Sequence, residues 1–415
     1  MEVEKKALFV ATVGGFVAQF EMNNVALLQK MGYEVHSAAN FREPVYSVKE
    51  QELKESGVIL HQVDVEKSPY MWKQNRKALS QLCSLIREEK ISLIHCHTPV
   101  GGLLGRMAAA LCREEKPKVI YTAHGFHFYR GAPLVNWLFY YNVERILAHH
   151  TDILITINEE DYKRAGRFHL RRGGGVYKIP GEGLRRERFQ PVGEAEKKRL
   201  RRRLGLEEDE FFFLSVGELS GNKNHRKIIE LMPDILERLK DRKILYGICG
   251  DGFYREALAG LVEKMGLQDS VRLYGYQPDI RSYLACADCL VFPSVREGLG
   301  MAALEALSMG IPVIASDNRG TREYMRDGSN GYVCDVKDSA SFAGAIERVC
   351  RMRPEELALM RAEGCRTAER FDIAAADEIM GRVYESAGAQ KAAKPEPATR
   401  IHYLPAQKGS MRKAQ

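Results

Sequence analysis

Short apolar runs recur along this chain, each followed by a longer segment whose apolar positions repeat every three to four residues, the signature of strand followed by helix. The runs Ala7–Thr12, Tyr33–Ala39, Val58–Val63, Ile91–Cys96, Lys118–Tyr121 and Asp152–Ile157 predict strands, and Met22–Met31, Lys73–Glu89, Gly101–Cys112 and Leu134–His149 predict helices among them. After an interruption rich in lysine and arginine the pattern resumes. Strands are predicted at Phe211–Val216, Lys243–Ile248, Val271–Tyr274, Cys289–Phe292 and Pro312–Ala315, with helices at Asn224–Leu239, Tyr254–Met265 and Leu299–Met309. Near-continuous apolar strands alternating with helices argue for parallel sheets covered on both faces. The fold class expected is therefore α/β, with two doubly wound Rossmann-like domains facing across a cleft. Their expected limits are 1–183 and 184–371, with a C-terminal helix over 372–388 packing back on the first domain and a disordered tail over 389–415, where periodicity disappears.

Composition narrows the class. A chain of 415 residues exceeds what one core supports, and 45% hydrophobic with 28% charged residues is ordinary for a globular protein. The apolar stretch Pro99–Cys112 is interrupted by Arg106 and is too short to span a bilayer, while Glu2 and Glu4 offset Lys5 and Lys6 where a signal peptide needs net positive charge. Nine cysteines, an odd number scattered through the chain, fit a reducing cytoplasm. Cys286-x-x-Cys289 has no second pair, and strand alternation sends neighbours in His95-Cys96-His97 to opposite faces, so both read as buried side chains rather than metal sites.

The net charge of +7 is concentrated. Residues 161–203 hold fifteen Lys or Arg against five Asp or Glu, leaving the rest of the chain slightly acidic. The block has neither interleaved aromatics nor a nucleic-acid motif. An anionic membrane surface is its expected partner, with a solvated face as the alternative. The segment Gly131–Tyr141 adds aromatics suited to a core or to a lipid interface.

Glycines and charged residues collect at predicted strand ends, where doubly wound domains bind ligands. In Pro293–Ala306, Glu297 falls in a strand-to-helix loop and Glu305 lies within the helix that follows. Helical side chains lean toward the N-terminus, so both acids can reach the helix start, where free N–H groups favour phosphate or sugar oxygens; alone, such a pair equally suits a helix cap and a solvated glutamate. Lys223, in the turn Gly217–His225, is placed to meet a diphosphate, although the glycine spacing is not that of a P-loop. Gly250-Asp251-Gly252 and Gly275 end the neighbouring strands. In the first domain Gly14-Gly15 follow the first strand without a dinucleotide fingerprint, and His124, with Gly125 beside it, follows the strand at Lys118–Tyr121. His127 is a lesser candidate.

Together, the Glu297-x7-Glu305 segment, Lys223 in Gly-x4-Asn-Lys-Asn, the Gly250 turn and His124 resemble the retaining glycosyltransferases of family 4, which have the GT-B fold. The resemblance runs from about Leu8 to Arg382, and Thr122–Asn136 and Leu154–Tyr162 look like the branch that builds capsular and exopolysaccharide repeat units on a lipid carrier. It implies that Glu305 holds the ribose hydroxyls of a UDP-sugar, that Glu297 contacts the donor sugar, and that backbone N–H groups of Gly298, Leu299, Gly300 and Met301 complete the sugar and phosphate contacts. Lys223 matches the lysine that neutralises the diphosphate, His124 a histidine near the anomeric centre, and Gly14 and Gly15 the loop that closes over the diphosphate. His124, Glu297 and Lys223 are the implied catalytic residues. No metal or other cofactor is implied, and the acceptor would be a lipid-linked, prenyl-diphosphate saccharide reached from the cytoplasmic face of the membrane. One position departs: many members carry an arginine where this chain has Glu218. Either Lys223 with Arg296 or Arg319 substitutes, or Glu218 points away and donor binding is weaker. A UDP-sugar epimerase and a non-catalytic nucleotide-sugar-binding protein are the competing readings; a nicotinamide-dependent oxidoreductase is disfavoured by the missing fingerprint.

Overall fold

The computed structural model of the chain describes residues 5–42, 50–112 and 114–388; the expected tail over 389–415 lies outside them. Two parallel sheets form. The first contains β1 (Lys5–Val13), β2 (Tyr33–Asn40), β3 (Ile59–Gln62), β4 (Leu93–Cys96), β5 (Lys118–Ala123), β6 (Ile153–Thr156) and β7 (Gly175–Lys178), in the order β3-β2-β1-β4-β5-β6-β7. The second contains β8 (Phe211–Val216), β9 (Ile244–Cys249), β10 (Val271–Gly275), β11 (Cys289–Phe292), β12 (Val313–Ser316) and β13 (Gly331–Cys334), in the order β10-β9-β8-β11-β12-β13. Strands β4, β6, β11 and β12 are buried along their whole length, as helices on both faces require. Strand order reverses beside β1 in one sheet and beside β8 in the other, so the loops after β1, β4, β8 and β11 diverge at two switch points.

The chain crosses between domains twice, and the crossings are bonded to each other. The Leu184 N–H donates to the Phe371 carbonyl at 2.7 Å, and the Ile373 N–H to the Leu184 carbonyl at 3.0 Å. Beyond them the helix Ile373–Gly388 lies on the first domain: Asn23 Nδ2 donates to Asp377 at 3.2 Å, and the buried Tyr384 hydroxyl is 2.9 Å from His95 Nδ1. One buried cluster joins Ile155, Ile157 and Ile179 of the first domain to Leu299 and Tyr324 of the second.

Several expectations change in detail. Leu134–His149 is interrupted by a wide π turn at Trp137–Tyr141, which lets Trp137 and Tyr141 both pack on Phe128, at 5.7 and 5.3 Å between ring centroids. A short helix, Phe16–Phe20, precedes Met22–Lys30. Part of the basic block is engaged within the fold: five of its fifteen cations meet acids remote in sequence. Arg171 pairs with Asp152, Lys178 bridges Glu159 and Glu323, Lys197 and the buried Arg201 share Asp288, and Arg186 meets Glu369. Charge counting along a sequence cannot register such partners. All nine cysteines are free thiols, with Cys286 and Cys289 buried. Among the described residues no helix is long and apolar enough to cross a membrane.

Candidate active site

The second domain's wall is assembled from the loops after β8 and β11. Lys223 returns over the strand end, and its Nζ lies 2.6 Å from Glu297 Oε1 and 5.1 Å from the centroid of the Phe292 ring. A charge-assisted contact of this length fixes both side chains. The loops are also stitched through the backbone: the Val295 N–H donates to the Asn222 carbonyl at 2.8 Å, and Asn222 Nδ2 donates to the Arg296 carbonyl at 2.9 Å. Gly300, with φ 96°, turns the chain into the helix Met301–Ser308; a Cβ there would stand 2.8 Å from the Phe292 ring, so only glycine suits the turn.

Within that helix Glu305 carries no side-chain hydrogen bond or ion pair with the described residues. Burial pushes its carboxyl up to about 7, against a smaller opposing pull from Arg188. A carboxyl left without partners at the mouth of a cleft is suited to accept hydrogen bonds from a ligand's hydroxyls. Glu218 is exposed and likewise lacks a side-chain partner among the described residues. At the end of β9, Gly250 packs so close to β8 that a Cβ would lie 1.9 Å from the Gly217 carbonyl oxygen.

The first domain's wall is a run of imidazoles and carboxylates. His124, just past β5, has Nδ1 2.8 Å from Glu182 Oε1 and Nε2 3.2 Å from His97 Nδ1. His97 Nδ1 also lies 3.3 Å from Oε1 of the buried Glu21, whose Oε2 accepts from Asn24 at 2.6 Å. Phe16, in the helix opened by Gly14-Gly15, meets the His124 ring edge-on at 5.2 Å. Burial alone would lower the His124 pKa, but the hydrogen bond and charge of Glu182, with the charge of Glu21, raise it above the usual histidine value. The same burial pushes Glu21 up to about 8 and His95 down to about 3. His95 and His97 share one face of the chain while Cys96 packs behind them against Gly105, as strand alternation requires.

The walls touch at Gly298. A Cβ on it would lie 1.9 Å from the His124 carbonyl oxygen, and its own carbonyl accepts from Asn158 Nδ2 at 3.0 Å. Leu299 is buried against Gly181, so its side chain anchors the contact. Arg319 corrects the expectation that it substitutes for a phosphate-binding arginine. Each of its three nitrogens is engaged: Nη1 with Asp161 at 2.7 Å and Nη2 with the Phe126 carbonyl at 2.7 Å across the interface, and Nε with the Glu297 carbonyl at 3.3 Å within the second domain. Arg296, half-buried beside the Tyr129 ring at 5.9 Å, has no ion pair among the described residues. His127 stacks on Tyr140 at 4.6 Å, and its pKa is lowered by burial and by Arg296 and Arg319.

The structure thus brings Lys223, Glu297, Gly298 and Gly300 together, sets Glu305 behind them on the helix, and places His124 with the Gly14-Gly15 helix opposite. Glu21, Glu182 and Arg188 escaped the sequence reading, and His97 entered it only as a buried side chain. Each lies in a different segment, and no local motif links them.

Two facing Rossmann-like domains with this cleft have the GT-B architecture. The sequence profile "Glycosyl transferases group 1" matches residues 196–364, and "Glycosyl transferase 4-like" matches residues 6–158. A putative glycosyltransferase, EpsD of Bacillus subtilis (strain 168), is 41% identical over 92% of this chain and 97% of its own length. An Escherichia coli UDP-Gal:alpha-D-GlcNAc-diphosphoundecaprenol alpha-1,3-galactosyltransferase is 31% identical over 66% of this chain and 70% of its own. Anabaena HepE, solved with UDP and glucose, superposes with a TM-score of 0.73 over 92% of this chain and all of its own, at 18% identity, and shares the fold. The chain belongs to the family 4 glycosyltransferases of GT-B fold and is a nucleotide-sugar-dependent transferase.

Proposed function

We propose that this enzyme is a retaining glycosyltransferase that moves a hexose or N-acetylhexosamine-type sugar from a UDP-sugar to a lipid-linked, prenyl-diphosphate saccharide in capsule or exopolysaccharide synthesis. The observation that carries the reading is the unpartnered Glu305 on the helix that starts just after the Lys223–Glu297 loop, a loop that meets the His124 backbone at Gly298. Glu305 accepts from the ribose hydroxyls and Glu297 contacts the donor sugar. Lys223 meets the diphosphate, and the N–H groups of Gly298–Met301 complete the cradle, with Gly14, Gly15 and Gly250 lining its approaches. Charge develops on the departing UDP, and a fixed lysine with oriented N–H groups stabilises it without reorganisation. Arg296 is the remaining candidate for the role of the arginine that Glu218 replaces. The E. coli relative, whose name specifies a UDP-sugar donor and a diphosphoundecaprenol-linked acceptor, supports the substrate classes.

Metal independence is part of the proposal: transfer persists in EDTA, and a loss of turnover restored by Mg²⁺ contradicts it. So is peripheral attachment to the cytoplasmic face of the membrane. The surface that suits it is an aromatic patch of the first domain, where Leu134, Leu138 and Tyr70 are 81%, 74% and 76% exposed and Tyr70 stacks on Phe139 at 6.5 Å. Lys73 lies over the neighbouring exposed Trp72 ring at 5.9 Å. Such a surface offers apolar insertion with flanking positive charge. Co-sedimentation with anionic vesicles that falls when Leu138 and Trp72 become serine supports it; no vesicle binding by the native chain rules it out.

The reaction is tested by incubating a panel of UDP-sugars with and without a membrane lipid extract and following products by mass. Lipid-linked product from one donor is expected. A changed UDP-sugar without acceptor, or UDP-sugar binding without transfer to any lipid-linked acceptor, contradicts the reading.

A further inference from the structure

We infer that Glu182 is a positioning residue of the transfer reaction: its carboxylate grips Nδ1 of His124, while the ring's other nitrogen rests on His97 until a donor group takes its place. The inference rests on the reading of His124 as a residue of the active cleft. Glu182 lies in the loop after β7, between Gly181 and Gly183, whose Cα positions crowd Leu299 and Ile373. That loop is clamped between the domain contact and the first domain crossing, so its carboxylate is held rather than free to swing. The pair measures 2.8 Å, and both residues are about four-fifths buried, with side-chain exposures of 21% for His124 and 19% for Glu182.

Proton accounting follows from the partners. A doubly protonated His124 donates Nδ1–H to Glu182 and Nε2–H to His97 Nδ1. His97 then carries its own proton on Nε2, which is buried with no partner in the structure. Its pKa lies well below the usual value, through burial and the neighbouring His95 and His124, so it stays neutral. Glu21 approaches His97 from the segment between the first two helices; its pKa is raised to about 8, so it is mostly protonated below that value, and above it its charge joins that of Glu182 in holding the proton on His124. His95 is neutral beneath, bonded to Tyr384 and Thr122. Behind Gly125, Arg319 is neutralised by Asp161; on the side of the C-terminal helix, Asp377 accepts from Asn23. When His124 and Glu21 are both protonated, the cluster therefore holds one cation, on His124, paired at 2.8 Å with one anion, on Glu182.

Two bonds on one ring differ in strength. The contact with a carboxylate is charge-assisted and short, whereas that with His97 is longer and leads to a neutral, otherwise unsatisfied imidazole. A donor hydroxyl or phosphate oxygen arriving at the cleft displaces the second and leaves the first. Glu182 sets the ring's orientation and His97 keeps Nε2–H turned inward when the site is empty. A carboxylate behind a histidine generally fixes tautomer and orientation in this way.

The sign of the pH effect is definite. The imidazolium form of His124, raised by Glu182, is present at low pH and is lost as pH rises through its raised pKa, so kcat falls on the alkaline side. Glu182→Gln removes the anion; kcat falls about a hundredfold, KM for the UDP-sugar changes little, and the alkaline limb moves to lower pH. Glu182→Asp keeps the charge at shorter reach and restores part of both. A purely structural role for Glu182 lowers activity without moving the limb. The direct readout is NMR titration of ¹⁵N-histidine-labelled full-length enzyme without substrate, with the His124 signal assigned by its loss in His124→Gln. In the native chain both ring nitrogens of His124 remain protonated above the ordinary histidine pKa, and in Glu182→Gln they do not. A native His124 that titrates at or below the ordinary value overturns the inference, even if no variant folds. So does a Glu182→Gln enzyme whose limb and His124 titration stay where they were. If His124→Gln keeps full turnover, the placement of His124 in the cleft fails instead, and the two outcomes are told apart.

Discussion

The two walls of the cleft solve their electrostatics in opposite ways. In the second domain, Glu305 and Glu218 have no side-chain partners among the described residues, while Lys223 and Glu297 pair with each other. In the first, Glu182, His124, His97 and Glu21 partner one another. The second wall leaves its groups for a ligand to satisfy, and the first carries its charge whether or not a ligand is present. The difference fits a division of labour. On the proposed function, nucleotide and diphosphate would supply hydroxyl donors and negative charge to one wall, while the other need only present a fixed donor where the sugar leaves.

Removing the pin between the walls has the largest expected effect. Burial raises the Asp161 carboxyl despite Arg319, and lowers the Arg319 pKa despite Asp161, so their pairing does not fully offset the loss of water. Deleting one partner strands the other, and Arg319→Ala should lose about 3–5 kcal/mol of stability by denaturant unfolding. A loss under about 1 kcal/mol, the level of an exposed pair, would mean that the walls are held mainly by the apolar contact at Leu299.

Next is Glu297→Gln, which keeps shape and removes charge. Turnover should fall about a hundredfold to a thousandfold while free UDP binds nearly as before by calorimetry. Unchanged turnover removes Glu297 from the site.

A smaller effect comes from Glu305. Its folded pKa, about 7, lies above the usual carboxyl value, so ionising it opposes folding as pH rises from the ordinary value through about 7. Ligand-free Glu305→Gln should gain thermal stability relative to the native enzyme at pH 8 but not at pH 5. UDP affinity of the native enzyme should rise over the same interval, because the carboxylate is the better acceptor for ribose hydroxyls. Parallel melting curves for both proteins at the two pH values would contradict this.

The smallest change is expected from Glu218→Arg. Glu218 is exposed, and on the proposed function an arginine there should tighten UDP binding by about fivefold or less, the scale of an exposed charge contact. Weaker binding would mean that Glu218 already has a ligand-side partner.

What could be read from the sequence follows the same division. Lys223, Glu297 and Glu305 lie on strand–turn–helix segments whose glycines and apolar spacing are local, so their place at strand ends was legible. The central strands were too, because burial on both faces leaves unbroken apolar runs. Edge strand β7 was not: between Gly173–Gly175 and Lys178 it offers only Val176 and Tyr177, all half-buried. Phe16–Phe20 was hidden by the paired glycines before it, and the π turn at Trp137 depends on Phe128, outside the helix. The first domain's wall was legible only at His124. Glu21, His97 and Glu182 join it through folding alone, and long-range pairing of the same kind engages Arg319 and five cations of the basic block within the fold.

The division between the walls is tested most directly by calorimetric titration of Glu297→Gln and Glu305→Gln with UDP and with the UDP-sugar that the native enzyme turns over. Glu305→Gln should weaken both ligands alike, and Glu297→Gln should leave UDP unchanged while losing the increment contributed by the sugar. Equal losses for both ligands in both variants would contradict the assignment of ribose to Glu305 and sugar to Glu297.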